Sequence, residues 1–190
     1  MSELAAALHQ VASELDEAEI PYMVIGGLAN LVWGDPRTTR DVDVTADISQ
    51  VGTEGILEVA GRLGRPLADD PRDIAERGRL VPLRTDSGVR VDLVLAALPF
   101  EMEAIRRARE IEVEGVPVRV CTPEDLIVMK SVSRRPRDHE DVIGVLRRQR
   151  DSLDLDALES TITGLAEDLA DPEIASRWKA ARRIADLRHN

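Results

Sequence analysis

The stretch Gly26-Gly27-Leu28-Ala29-Asn30-Leu31-Val32-Trp33-Gly34-Asp35-Pro36-Arg37-Thr38-Thr39-Arg40-Asp41-Val42-Asp43-Val44 decides the reading of this chain. Two glycines open it, thirteen residues follow, and Asp41-Val42-Asp43 closes it. The closing run alternates polar and apolar side chains, the period of a strand. Side chains two apart on a strand share a face. Asp41 and Asp43 are therefore expected to project together, with Val42 and Val44 packed behind them. Two ionised carboxylates side by side repel each other, and a divalent cation between them relieves the repulsion. Hard oxygen donors at this density suit Mg²⁺ or Mn²⁺, with substrate phosphates completing the shell. Gly26-Gly27 predicts a tight turn, with a short helix over residues 28–33 ended by Gly34-Asp35-Pro36. Glycine lets the backbone approach oxyanions, and the N–H groups at the start of the next helix point at them.

A third carboxylate follows downstream. Val89-Arg90-Val91-Asp92-Leu93-Val94-Leu95 is an apolar run broken by Asp92. An Asp within such a run is costly unless it is paired or bound to a cation. If this strand neighbours the 41–46 strand, Asp92 completes a cluster able to hold two metals. One metal activates an attacking hydroxyl and the other steadies a triphosphate.

The flanking sequence supplies the scaffold. Residues 2–18 predict an amphipathic helix, with Leu4, Leu8, Val11 and Leu15 at helical spacing and Ser2 as N-cap. Residues 22–25 form a short buried strand and 51–63 a second helix. Residues 64–78 are expected to be a polar connection. Residues 80–84 and 89–95 flank Thr85-Asp86-Ser87-Gly88, a hairpin signal. A helix over 100–109 and strands over 111–113 and 116–120 follow. Thr122-Pro123-Glu124-Asp125 is a strong helix start, with Thr as N-cap and Pro at N1; that helix carries Lys130. Further helices are expected over 138–150 and from near Asp154 and Pro172. Strands gather before residue 120 and helices after it, an α+β pattern with a small mixed sheet. The expected division is a core over 1–120 and a helical part over 121–190 packed on it.

Composition narrows the classes. The 190 residues hold 25 Lys and Arg against 36 Asp and Glu, a net charge of −11, which argues against bulk-charge coating of nucleic acid. No apolar run reaches the ~20 residues that span a bilayer, and the N-terminus lacks a signal-peptide pattern, so a cytoplasmic protein without membrane partners is expected. Cys121 is the lone cysteine, which removes internal disulfides and cysteine zinc sites. From Lys130 to Arg150, seven basic side chains face three acidic ones, a local excess of four positive charges. That segment reads as an RNA or triphosphate cradle or, equally well, a solvated helix face.

GGLANLVWGDPRTTRDVDV closely resembles the opening motif of nucleotidyltransferases of the DNA polymerase β superfamily. Its Gly-Gly, Trp-Gly and Arg-x-Thr-x-Asp-Val-Asp-Val flavour is similar to the AbiEii-type toxins of toxin–antitoxin and abortive-infection systems. DLIVMKSVSRRPRDHEDV, residues 125–142, resembles that group's C-terminal motif. The resemblance implies a polymerase-β-like core of a small mixed sheet flanked by helices, with a helical C-terminal part. It implies Asp41, Asp43 and Asp92 as metal-binding carboxylates, Asp92 also as base for the acceptor hydroxyl. Gly26 and Gly27 would cradle the β- and γ-phosphates of a nucleoside triphosphate. Lys130 would pair with the triphosphate, Asp138 or Asp141 would orient Lys130 or the acceptor, and Arg37 and Arg40 would touch phosphate or neutralise the cluster. Gly27 stands where many members carry Ser, which forgoes a side-chain hydrogen bond to phosphate.

The activity implied is transfer of a nucleoside monophosphate from an NTP to an acceptor hydroxyl, with Mg²⁺ or Mn²⁺ as cofactor. The leading acceptor is RNA, the 3′ end of tRNA, with the protein a toxin held by a separate antitoxin. The alternatives are transfer to a small molecule, as in aminoglycoside nucleotidyltransferases, and a non-catalytic relative that binds a nucleotide or partner protein. Asp-x-Asp alone is common on solvated strands. The functional reading rests on its conjunction with Gly26-Gly27, Asp92 and Lys130.

Overall fold

Ser2 starts the first helix as its sequence predicts: its hydroxyl accepts the N–H of Ala5 at 3.1 Å, satisfying one of the donors a helix start leaves unpaired. The computed structural model describes residues 1–187. In chain order, the first elements are α1 (Glu3–Glu17), β1 (Tyr22–Val24), α2 (Gly26–Trp33), β2 (Asp41–Ala46), α3 (Gly52–Leu63), β3 (Arg65–Pro66) and α4 (Pro71–Gly78). Then come β4 (Leu80–Arg84), β5 (Arg90–Leu95), α5 (Pro99–Arg107), β6 (Arg109–Val113) and β7 (Val116–Val120). The described chain ends with α6 (Pro123–Val132), α7 (Pro136–Arg148), α8 (Leu155–Asp168) and α9 (Pro172–Leu187).

The strands make one mixed sheet in the order β3-β4-β5-β2-β1-β7-β6. The β4–β5 hairpin is antiparallel, as Ser87-Gly88 predicts, and β5 then lies parallel to β2. The β2–β5 pairing is full length, from Asp41 opposite Arg90 to Ala46 opposite Leu95. Parity in these strands separates two environments. Val42, Val44, Val91, Leu93, Val81 and Leu83 are all buried, whereas Asp41, Asp43, Arg90, Asp92, Pro82 and Arg84 point the other way and keep some exposure. Each large buried side chain contributes about 1.5–3 kcal/mol through removal of apolar surface from water. The apolar stripes of α1 (Leu8, Val11, Leu15) and α3 (Ile56, Val59, Leu63) are likewise buried, α1 lying against β2 and β7 and α3 against β4.

Two expectations are corrected. Residues 64–78 are not a plain connection, since they hold β3 and α4. The cause is local: the Asp70 side chain accepts the N–H of Asp73 at 3.0 Å and Pro71 occupies the first helical position, a cap strong enough to nucleate α4 in a polar stretch. Gly26-Gly27 is not a turn preceding a helix over 28–33. Gly26, at φ +63°, is already the first residue of α2.

The chain divides into two compact units, one of Met1–Leu28 with Thr38–Cys121, the other of Ala29–Arg37 with the described residues from Thr122 on. The first unit holds the whole sheet. The second is helical: α6 packs on α7, α7 and α8 pack on α9, and the fully buried Trp178 donates its indole N–H to Glu159 at 3.0 Å. Thr122 caps α6 by accepting the N–H of Asp125 at 3.1 Å. Among the described residues, no helix is long and apolar enough to cross a membrane.

Candidate active site

The site in the sheet unit is built by register. Asp43 stands directly opposite Asp92 on the β2–β5 ladder, and Asp41 stands opposite Arg90. Directly paired residues on neighbouring strands share a face, with side-chain origins ~5 Å apart. Asp41, Asp43 and Asp92 therefore lie on one face of the sheet, and the opposite face of the same two strands is buried aliphatic core. The separation along the sequence vanishes because β2 and β5 pair without a slip.

Gly26 closes the near side of this patch. The Ile25 N–H donates to the Asp43 carbonyl at 2.9 Å, which keeps the chain beside β2 just past β1 and sets Gly26 over the Asp43 side chain. A Cβ at Gly26 would fall 2.0 Å from Oδ2 of Asp43 and 2.7 Å from its Cγ. The positive φ and the missing side chain are both required here. The first N–H groups of α2, whose partners lie outside the helix, begin at this same residue.

Each carboxylate is already partly engaged. The backbone N–H of Arg40 donates to Oδ1 of Asp41 at 3.0 Å. Nε of Arg90 lies 3.0 and 3.1 Å from the two oxygens of Asp92. The hydrogen bond to Asp92, its charge, and the further charges of Asp41 and Asp43 hold the Arg90 guanidinium's pKa above its ordinary value. Among the described residues, no three His, Cys, Asp or Glu side chains are drawn together tightly enough to hold an ion as they stand. The donor set is nonetheless of the right chemistry for a hard cation: three carboxylates on one face beside a backbone with no side chain. Arg90 is the residue the motif reading passes over. Its signal was present, since Arg90 and Asp92 are two apart on a strand and so share a face.

The helical unit gathers the other predicted residues. Lys130 is buried, and its Nζ donates to Asp138 at 2.8 Å and to Asp141 at 2.7 Å. Arg37 forks onto Asp141, Nε to Oδ1 and Nη2 to Oδ2, both at 2.8 Å. Ser133 and Arg135 each reach Oδ2 of Asp138 at 2.7 Å. Burial pushes both carboxyls up, but for Asp138 the bonds from Lys130 and Ser133, and for Asp141 those from Arg37 and Lys130, outweigh it, and both end below the usual carboxylate range. Lys130 is thus a buried cation shared by two carboxylates of the next helix. The structure places Gly26, Asp41, Asp43 and Asp92 together in one unit, and Arg37, Lys130, Asp138 and Asp141 together in the other. Arg40 is exposed next to Asp41.

His139 is half-buried on α7, with its imidazole pKa held down by burial and by Arg177. Cys121 is fully buried at the end of β7, its N–H donating to the Val24 carbonyl at 3.1 Å.

Known structures share the fold. The antibiotic-resistance factor ANT(2'')-Ia matches with a TM-score of 0.62 at 18% identity, over 89% of this chain and 94% of that one. The lincosamide antibiotic adenylyltransferase LnuA, solved with lincomycin bound, matches at 0.53 and 13% identity, over 76% and 96%. An antigenic nucleotidyltransferase-like protein from Paracoccidioides brasiliensis matches at 0.51 and 20% identity, over 94% of each chain. These likenesses establish the α+β, polymerase-β-like nucleotidyltransferase fold. No curated protein matches the sequence. The model of the family described as a nucleotidyl transferase of unknown function (DUF2204) matches residues 4–177, nearly the whole chain, and the protein belongs to that family.

Proposed function

We propose that this nucleotidyltransferase moves a nucleoside monophosphate from an NTP to the hydroxyl of a small molecule, using Mg²⁺ or Mn²⁺ held by Asp41, Asp43 and Asp92. The observation that carries the reading is the in-register pairing of Asp43 with Asp92, with Asp41 on the same face and Gly26 laid against Asp43. Bound there, the ions would supply charge neutralisation and activation of the acceptor oxygen. Gly26 and Gly27 offer backbone N–H groups to the β- and γ-phosphates, and the missing Gly26 side chain lets this backbone lie directly against the Asp43 carboxylate. Arg40, exposed beside Asp41, supplies a cation at the mouth of the same patch. Asp92 takes the proton of the acceptor hydroxyl, whose oxygen then attacks the α-phosphorus in line as pyrophosphate leaves. Catalysis of this kind is chiefly positioning and electrostatic stabilisation.

The acceptor reading rests on charge. The 130–150 segment is largely consumed internally: Lys130 and Arg135 bond Asp138, Arg134 bonds Asp171 at 2.9 Å, and Arg150 lies 3.2 Å from Asp186. A basic cradle for RNA loses its field when its cations are paired in this way. An acidic chain attracts a cationic small acceptor and repels a polyanion. The antibiotic adenylyltransferases of the same fold act on such small molecules, which is consistent with this choice.

A second reading is supported by the motifs of residues 26–44 and 125–142 and by their AbiEii-type resemblance: transfer to the 3′ end of tRNA by a cytoplasmic toxin with a cognate antitoxin. In this reading Lys130 and Arg37 contact the triphosphate only after exchanging their carboxylate partners. Incubation with α-labelled NTPs and Mg²⁺, against a panel of aminoglycosides and lincosamides and against total RNA, decides. Label on a small molecule supports the first reading and label on RNA the second. Absence of pyrophosphate release with every NTP and acceptor would overturn nucleotidyl transfer at this site.

A further inference from the structure

The sheet face that bears the three aspartates also bears a cation of the protein's own. Arg90 stands opposite Asp41 in the ladder and two residues before Asp92, so its guanidinium shares their face. It spans both oxygens of Asp92, and its side chain is 46% exposed while that of Asp92 is 18% exposed. The pair is therefore neither locked in the core nor fully solvated. Two features show that the pairing answers a local need. Asp43 and Asp92 are directly opposed like charges, which destabilise a sheet. The neighbouring strand adds no acid to answer Arg90, since Pro82 and Arg84 are the residues that pair with Asp92 and Arg90 there.

We propose that Arg90 is the built-in counter-ion of this site: it holds the carboxylate of Asp92 when no divalent ion is bound, and it must give that carboxylate up for an ion to be held by Asp92 together with Asp43. The inference rests on the metal reading above. It adds that ion binding is a competition, in which the arginine sets how much divalent cation the protein needs. The competition is between one positive charge whose Nε–H is shared by two carboxylate oxygens and a divalent charge delivered by direct coordination. The ion wins at sufficient concentration, and the displaced guanidinium then stands next to the ion as a like charge that further weakens its hold.

The test uses the full chain and Mn²⁺ as probe, with free Mn²⁺ followed by electron paramagnetic resonance. Arg90→Gln removes the competitor, and the dissociation constant for Mn²⁺ is expected to fall about tenfold, the sum of a released surface pair and a removed like charge at close range. Arg84→Gln is the charge-matched control. Arg84 is the ladder partner of Arg90, but its guanidinium donates to the Gly88 carbonyl at 2.8 Å. Its effect should stay within about twofold, that of a screened surface charge. An affinity in Arg90→Gln equal to or weaker than wild type overturns the inference.

A metal-free readout separates this failure from failure of the metal reading. In EDTA, Arg90→Gln should melt about 2–4 °C below wild type, because the opposed Asp43 and Asp92 lose their counter-ion, and Asp92→Asn should remove most of that difference. Coupling between Arg90 and Asp92 in EDTA, without Mn²⁺ binding to any variant, retains the counter-ion and overturns the ion site. No coupling overturns the counter-ion. Arg90→Lys keeps the charge but replaces the fixed guanidinium Nε–H by a more strongly hydrated, mobile ammonium, so its Mn²⁺ affinity should lie between those of wild type and Arg90→Gln.

Discussion

Asp43 and Asp92 face each other directly across the β2–β5 ladder, two carboxylates where a sheet ordinarily sets an apolar or oppositely charged pair. This opposition is a cost in the folded chain, and a site that retains it gains something else from it. Asp43→Asn is therefore expected to act very unequally on fold and activity. Thermal melting should move by no more than about 1 kcal/mol of stability. Nucleotide transfer should fall roughly 10²–10³-fold, as when a preorganised electrostatic group is lost. Parallel melting curves and transfer assays check this; unchanged transfer removes Asp43 from the site.

Gly26→Ala and Gly88→Ala form a matched pair. Both glycines have positive φ, +63° and +87°. Nothing lies within 4 Å of a Cβ at Gly88, while one at Gly26 collides with the Asp43 carboxylate. Gly88→Ala should cost only backbone strain, about 1–2 kcal/mol. Gly26→Ala should cost at least that and also turn Asp43 off the patch. Transfer should thus be lost in Gly26→Ala and kept in Gly88→Ala, with the melting temperature of Gly26→Ala no higher than that of Gly88→Ala.

Lys130→Met tests the buried network of the helical unit. It leaves Asp138 and Asp141 buried with one fewer cation, and truncating one partner of such a pair costs about 3–5 kcal/mol. Urea unfolding measures it. Lys130→Met combined with Asp138→Asn should recover part of the loss, since the stranded charge is then removed.

Acid should undo the same network. Asp138 and Asp141 have pKa values below the ordinary carboxylate value in the folded chain. A depressed carboxyl contributes stability that is complete above its unfolded pKa, near 3.9, and that is lost as pH falls through the folded value. Melting temperature should therefore fall steeply below about pH 4. The fall should be shallower in Lys130→Met, where the cation that depresses both carboxyls is gone.

Cys121 offers a probe of global opening. It is fully buried in the sheet unit, so a thiol reagent should label the native chain only at the rate at which that unit opens. Fast stoichiometric labelling under native conditions would place the thiol elsewhere.

What the sequence made legible was whatever local rules control. Ser2, Thr122 and the Ser87-Gly88 turn announced α1, α6 and the β4–β5 hairpin, because caps and turns are settled by neighbours a few residues apart. The shared face of Asp41 and Asp43 followed from strand parity alone. The adjacency of Asp92 was a conditional expectation, since strand order depends on packing between distant segments, and the β2–β5 pairing supplies it. Burial of Lys130 was not legible: α6 has no clear polar side, and the carboxylates that receive its ammonium come from the next helix. Helix α4 is not legible because half of its residues are charged and its single buried position, Ala75, gives no stripe to read. Arg90 is hidden for a different reason. The motif points at Asp92 as an ion ligand, and nothing in it asks for a cation two residues before that ligand.

The division of the chain into units is not sequential. Ala29–Arg37 departs from the sheet unit partway through α2 and returns just before β2, so the polypeptide crosses from one unit to the other three times. A recombination event that exchanged everything after Cys121 would strand this short excursion among foreign helices, with Arg37 deprived of Asp141. Neither half is therefore inheritable as a cassette.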